Sequence, residues 1–101
     1  MKVTRVQYTV APNFAARNKE NIQAVMRELR ALNAKDVKYA SYVLDDGKTF
    51  MHLAHQNTKE AESLPGRLDS FKHFQAQLKQ NLEVPPKVET VELVGASAEL
   101  F

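Results

Sequence analysis

Two apolar stretches around a four-residue turn signal constrain this chain more than any other feature. Val37–Leu44 reads VKYASYVL, Thr49–Gln56 reads TFMHLAHQ, and Asp45-Asp46-Gly47-Lys48 stands between them. β-Branched and aromatic residues favour a pleated, half-buried surface, and Asp-Gly between two such runs is a strong hairpin signal. The return stretch is therefore strand. Successive strand side chains alternate between faces, so His52 and His55, three positions apart, point to opposite sides of the sheet. On a helix that spacing would permit shared chelation; on a strand the two rings cannot hold one ion.

The remaining chain supplies two more strands and two principal helices. Val3–Val10 alternates, with Val6, Tyr8 and Val10 on one face against Arg5, Gln7 and Thr9. Ala11-Pro12 ends that strand, and Asn13 is the predicted N-cap of a helix. Ile22, Val25, Met26, Leu29 and Leu32 then recur at helical spacing, which predicts an amphipathic helix ending near Asn33. Asn57–Ala61 reads as a capped helical turn interrupted at Pro65-Gly66. Asp69 is the predicted cap of a second long helix with Phe71, Phe74, Leu78 and Leu82 as its apolar stripe. Val84-Pro85-Pro86 is expected to end it, and Lys87–Val94 to form the fourth strand, followed by the tail ASAELF. The order is β-α-β-β-α-β: an α+β ferredoxin-like fold with a four-stranded antiparallel sheet.

A chain of 101 residues is expected to be a single domain over 1–101. The 14 Lys and Arg interleave with 12 Asp and Glu, leaving net charge +2 and no basic face for nucleic acid. RNA-recognition modules share the strand order, but they carry aromatics between glycines on the third strand. KTFMHLAHQ has one phenylalanine and no glycine. With no cysteine, disulfides, thiolate nucleophiles and Cys-based metal sites are excluded. The N-terminus alternates instead of forming an apolar leader, and no apolar run approaches membrane-spanning length. A cytoplasmic protein without membrane contact is expected.

Two helices cover one face of such a sheet, yet both faces carry apolar residues. Val37, Tyr39 and Val43 oppose Ala40, Tyr42 and Leu44, and Phe50 and Ala54 oppose Met51 and Leu53. A layer apolar on both sides needs cover on both. The simplest cover is a second copy across a two-fold axis, with Leu100-Phe101 as a strap over the joint. The other reading is a monomer with a scattered apolar face.

From Thr49 to Leu78 the pattern of strand, capped turn with Lys59-Glu60-Ala61, and helix start Ser70-Phe71…Phe74 resembles the dimeric α/β-barrel proteins. That superfamily includes the antibiotic-biosynthesis-type monooxygenases and the stress-responsive barrel proteins. The resemblance spans nearly the whole chain and implies two ferredoxin-like sheets pairing as a dimeric α/β barrel. It also implies a ligand cleft between sheet and helices. The chain departs from the monooxygenase pattern in two places. Ser63-Leu64-Pro65-Gly66 lacks the histidine many members carry before this helix, and there is no tryptophan.

Parity with Phe50 makes His52 the histidine expected beneath the helices. There it serves either as base or hydrogen-bonding group for a ligand, or as a packed imidazole satisfied by a backbone carbonyl or by Tyr8. His55 is expected at the sheet–sheet joint. His73, about 200° around its helix from Phe71, is expected in solvent. Phe71 and Phe74 would line a cleft or simply build the core. Arg67, after Pro65-Gly66, is expected at the cleft's mouth, either on an anionic substituent or solvated. Gln7 either orients an oxygen or bonds across the barrel. No nucleophilic triad, phosphate loop, metal set or cofactor motif is present. These residues point to a homodimer binding an apolar or aromatic small molecule at His52, Tyr8, Phe71, Phe74 and Arg67. The alternatives are a cofactor-independent monooxygenase and a ligand-free structural or regulatory dimer.

Overall fold

The computed structural model describes all of residues 1–101. Strand β1 (Lys2–Val10) leads through a 3-10 turn (Pro12–Phe14) into helix α1 (Ala15–Ala31). The hairpin follows as β2 (Val37–Val43) and β3 (Thr49–Gln56). Helices α2 (Lys59–Arg67) and α3 (Asp69–Lys79) and strand β4 (Leu82–Val91) complete the order. The strands form one antiparallel sheet in the order β2-β3-β1-β4, the ferredoxin-like arrangement.

The turn signal behaves as read. Gly47 takes φ +74°, which a residue with a Cβ rarely adopts, and the Leu44 N–H closes the hairpin on Thr49 O at 2.8 Å. Asp46 accepts from the N–H groups of Lys48 and Thr49 and from the Thr49 hydroxyl. This closure sets the register that places Ser41 opposite His52 and Val43 opposite Phe50.

One sheet face packs against α1 and α3. Tyr8, Val10 and Phe50 from the sheet meet Ile22, Val25 and Leu29 from α1 and Phe74 and Leu78 from α3 in one buried cluster. The opposite face is split. Ala40, Tyr42, Met51 and Leu53 make its β2–β3 half apolar and partly or fully exposed. On the β1–β4 half Arg5 pairs with Glu89 at 3.0 Å and also donates to Gln7. Gln7 thus bonds along its own face. His55 lies on this side, its Nδ1 3.4 Å from Lys38 O. The tail leaves β4 at one edge and brings the Phe101 ring to within 5.9 Å of Lys38 Nζ on β2, the other edge. It therefore crosses the row Val91–Val3–His55–Lys38.

Four boundaries differ from the sequence expectation. Asn13 caps nothing: Pro12 pre-sets the backbone, and the turn is held by Phe14 N–H donating to Ala11 O. α2 continues through Pro65, because the Thr58 cap and the burial of Ala61 and Pro65 outweigh one missing backbone bond. Asp69 makes no cap either. Leu68 breaks the chain between α2 and α3, and Glu28 from α1 accepts from the Ser70 N–H (3.2 Å) and hydroxyl (2.5 Å). β4 starts at Leu82 rather than Lys87 and stops at Val91. Its two prolines are tolerated because they sit on an edge strand where the register with β1 shifts between Gln7 and Thr9.

Glu28→Ala leaves the Ser70 N–H and hydroxyl, at the start of α3, without their partner. The expected loss is about 1 kcal/mol, a fall in melting temperature of about 4–8 °C in a thermal scan, with Glu28→Gln losing less.

Candidate functional site

Beneath the helices, four polar side chains form a continuous chain. His52 from β3 is 3% exposed and lies between two partners. Its Nδ1 is 2.6 Å from Ser41 Oγ on β2, and its Nε2 is 2.7 Å from the Tyr8 hydroxyl on β1. Asn18 of α1, fully buried, donates its Nδ2 to the same hydroxyl at 2.9 Å. Its Oδ1 is buried with no hydrogen-bond partner. Aromatic rings enclose the imidazole: Tyr8 at 5.3 Å, Phe74 edge-on at 5.7 Å and Tyr39 at 6.0 Å between centroids. Phe71 stands behind Phe74 at 5.8 Å.

Burial sets the protonation of the group. Removal from water disfavours the charged imidazolium, and the His52 pKa falls to about 4. Burial likewise pushes the Tyr39 hydroxyl to about 12 and Tyr8 well above the ordinary phenol range, partly opposed in Tyr8 by the bond from Asn18. At neutral pH the chain from Ser41 to Asn18 is uncharged throughout. It can donate, accept and orient; an imidazole so weakly basic is a poor general base.

The chain opens toward solvent at Ser41. A crevice of about 690 Å³ runs between α1 and the edge strand β2, with Ile22, Met26, Tyr39 and Ser41 on its walls. Behind it, Ile22, Met26, Tyr39 and Ser41 continue into a gap too narrow for water that reaches His52, Phe71 and Phe74. Ser41 also faces a smaller hollow beside Lys19, Val43 and Phe50.

Of the residues singled out in the sequence, His52, Tyr8, Phe71 and Phe74 are brought together. Arg67 is not: it lines a smaller depression along α2, with Lys35, Asp36, Thr58 and Glu60. His73 is exposed on α3, and no three His, Asp or Glu side chains converge where an ion would be held. The sequence reading missed Asn18, Tyr39 and Ser41. Two signals for them exist. Asn18 lies four residues before Ile22 on the apolar stripe of α1, and hairpin closure between Leu44 and Thr49 counts back to Ser41 opposite His52.

No protein-family model matches the sequence, and no curated protein matches it. Solved structures match the fold. A crystal structure of an antibiotic biosynthesis monooxygenase superposes with TM-score 0.77 at 11% identity, covering 94% of this chain and 100% of that one. Rv0793 from Mycobacterium tuberculosis gives 0.76 at 15%, covering 96% and 98%. NE2512 from Nitrosomonas europaea, a protein of unknown function, gives 0.71 at 18%, covering 97% and 94%. At such identities the likeness is one of fold, and the fold shared is the ferredoxin-like one.

The low His52 pKa has a consequence for stability. Between pH 6.5 and about 4 the unfolded chain binds a proton that the native imidazole does not, so stability falls as pH falls through that window. The expected loss is about 3 kcal/mol between pH 6.5 and 4, read by urea unfolding as the difference from His52→Gln, which lacks this component. Parallel pH profiles of the two proteins would show that His52 is not buried neutral.

Proposed function

We propose that this chain forms a homodimer through the free face of its sheet and binds an apolar or aromatic small molecule in the crevice between α1 and β2. The observation that carries this reading is the crevice itself. Its about 690 Å³ lies within the roughly 300–1,000 Å³ range of small-molecule sites, and its apolar wall around Ile22, Met26 and Tyr39 meets the buried polar chain at Ser41, with Gln23, Arg30, Asn33 and Lys38 also on its lining. Ile22, Met26 and Tyr39 supply contact area, with His52, Phe71 and Phe74 as the floor behind them. Tyr8 acts on the ligand through His52. Arg67, on its own depression, would take part only by contacting something that extends beyond the crevice.

The pairing is supported by the apolar half of the free face and by the tail that reaches over it. The reducing cytoplasm suits a chain with no cysteine, and no helix is long and apolar enough to cross a membrane. A second reading, cofactor-independent oxygenation of a molecule in the same crevice, is supported by the name of the monooxygenase whose fold this chain shares. A ligand-free structural dimer is the alternative to both.

Met26→Trp should fill the crevice from α1. A solvatochromic naphthalene dye that shifts blue with the wild-type protein should bind at least about tenfold more weakly to this variant, since its indole occupies the apolar space. Equal titrations would put the dye elsewhere. In sedimentation equilibrium the wild-type chain should run at twice 11.4 kDa, and Leu53→Asp, which places a charge on the free face, should return it to one. A wild-type monomer at micromolar concentration would end the pairing proposal.

A further inference from the structure

The chain Ser41–His52–Tyr8–Asn18 has a direction, and its direction decides what Ser41, at the apolar wall of the crevice, offers a ligand. Each link can be made in two senses: a hydroxyl donates or accepts, and a neutral imidazole carries its proton on either nitrogen. Only Asn18, at the buried end, has separate donor and acceptor atoms. Its Nδ2 faces Tyr8 and its Oδ1 is left over. The opposite amide orientation would let Tyr8 donate to Oδ1, but it would orphan both amide protons in the interior. Unpaired buried donors are rarer in folded proteins than under-satisfied carbonyl oxygens, so the observed sense is the cheaper one.

The rest follows link by link. The Tyr8 oxygen accepts from Asn18, so its own proton is free to go to His52 Nε2. That nitrogen then carries no hydrogen, which places the imidazole proton on Nδ1, where it is donated to Ser41 Oγ. With one lone pair so engaged, the Ser41 hydroxyl keeps its hydrogen for the crevice it lines; His52 is its one side-chain partner. We propose that Asn18 is a positioning residue that holds His52 in the Nδ1–H form, and that the crevice selects apolar molecules whose polar group is a hydrogen-bond acceptor, a carbonyl above all. This rests on the crevice being the ligand site.

Two measurements test it. Long-range ¹⁵N–¹H correlation at pH 7 separates protonated from bare imidazole nitrogens by their shifts. His52 should show Nδ1 protonated and Nε2 bare in the wild-type protein; the reverse overturns the proposal. Asn18→Leu removes the director, so both tautomers should then appear, and an unchanged single Nδ1–H form would mean that Asn18 directs nothing. If Asn18→Leu does not fold, the wild-type spectrum still decides the direction. The second measurement compares 2-acetylnaphthalene with 2-isopropenylnaphthalene, alike in shape but for the carbonyl oxygen. The ketone should bind about threefold to tenfold more tightly, with the preference lost in Ser41→Ala. Equal affinities overturn the ligand class. No binding of either compound would remove the crevice as a ligand site and the ligand class with it, while the tautomer would continue to decide the role of Asn18.

Discussion

A neutral imidazole under two helices needs a partner for each nitrogen, and the register of the sheet provides both. Ser41 and Val6 flank His52 on the neighbouring strands, and Tyr8, one same-face position along β1 from Val6, carries its hydroxyl back to the ring. The hairpin closure at Leu44 and Thr49 is what puts Ser41 there. A slip of one residue would turn His52 toward the free face and Met51 or Leu53 into the core, with Phe50 and Ala54 displaced at the same time. The apolar packing and the polar chain therefore enforce the same pairing.

The polar chain is costly, and its surroundings explain how it is carried. Aromatic rings on three sides exclude water, which keeps His52 and both tyrosines uncharged at neutral pH. An uncharged chain with nearly every group bonded avoids the large desolvation penalty that a buried ion would bring. The exception is the Asn18 oxygen, a cost accepted at the far end of the chain from the crevice. The arrangement is suited to orienting a hydrogen bond in an apolar setting, and less suited to taking a proton from a substrate.

The sheet order, both faces of the hairpin and the placement of His52, Phe71 and Phe74 were legible from alternation and helical spacing. Those patterns depend only on which side of an element a residue occupies. Ends were less legible, because they depend on contacts between elements. Asp69 looks like a cap, yet the α3 N-terminus is served by Glu28 across the helix pair; Pro85-Pro86 looks like a stop, yet an edge position makes it part of β4. Arg67 follows a turn-like Pro-Gly, but α2 runs through that pair and carries the guanidinium to another depression.

The sequence by itself determined the βαββαβ order, the opposite faces of the two histidines and the absence of thiol chemistry, since each follows from local periodicity or from composition. Only the tertiary structure decided that Asn18, Tyr8, His52 and Ser41 join into one directed chain opening on the α1–β2 crevice. Those four come from three strands and a helix, and no local rule sets the distances between elements that meet only when the core packs.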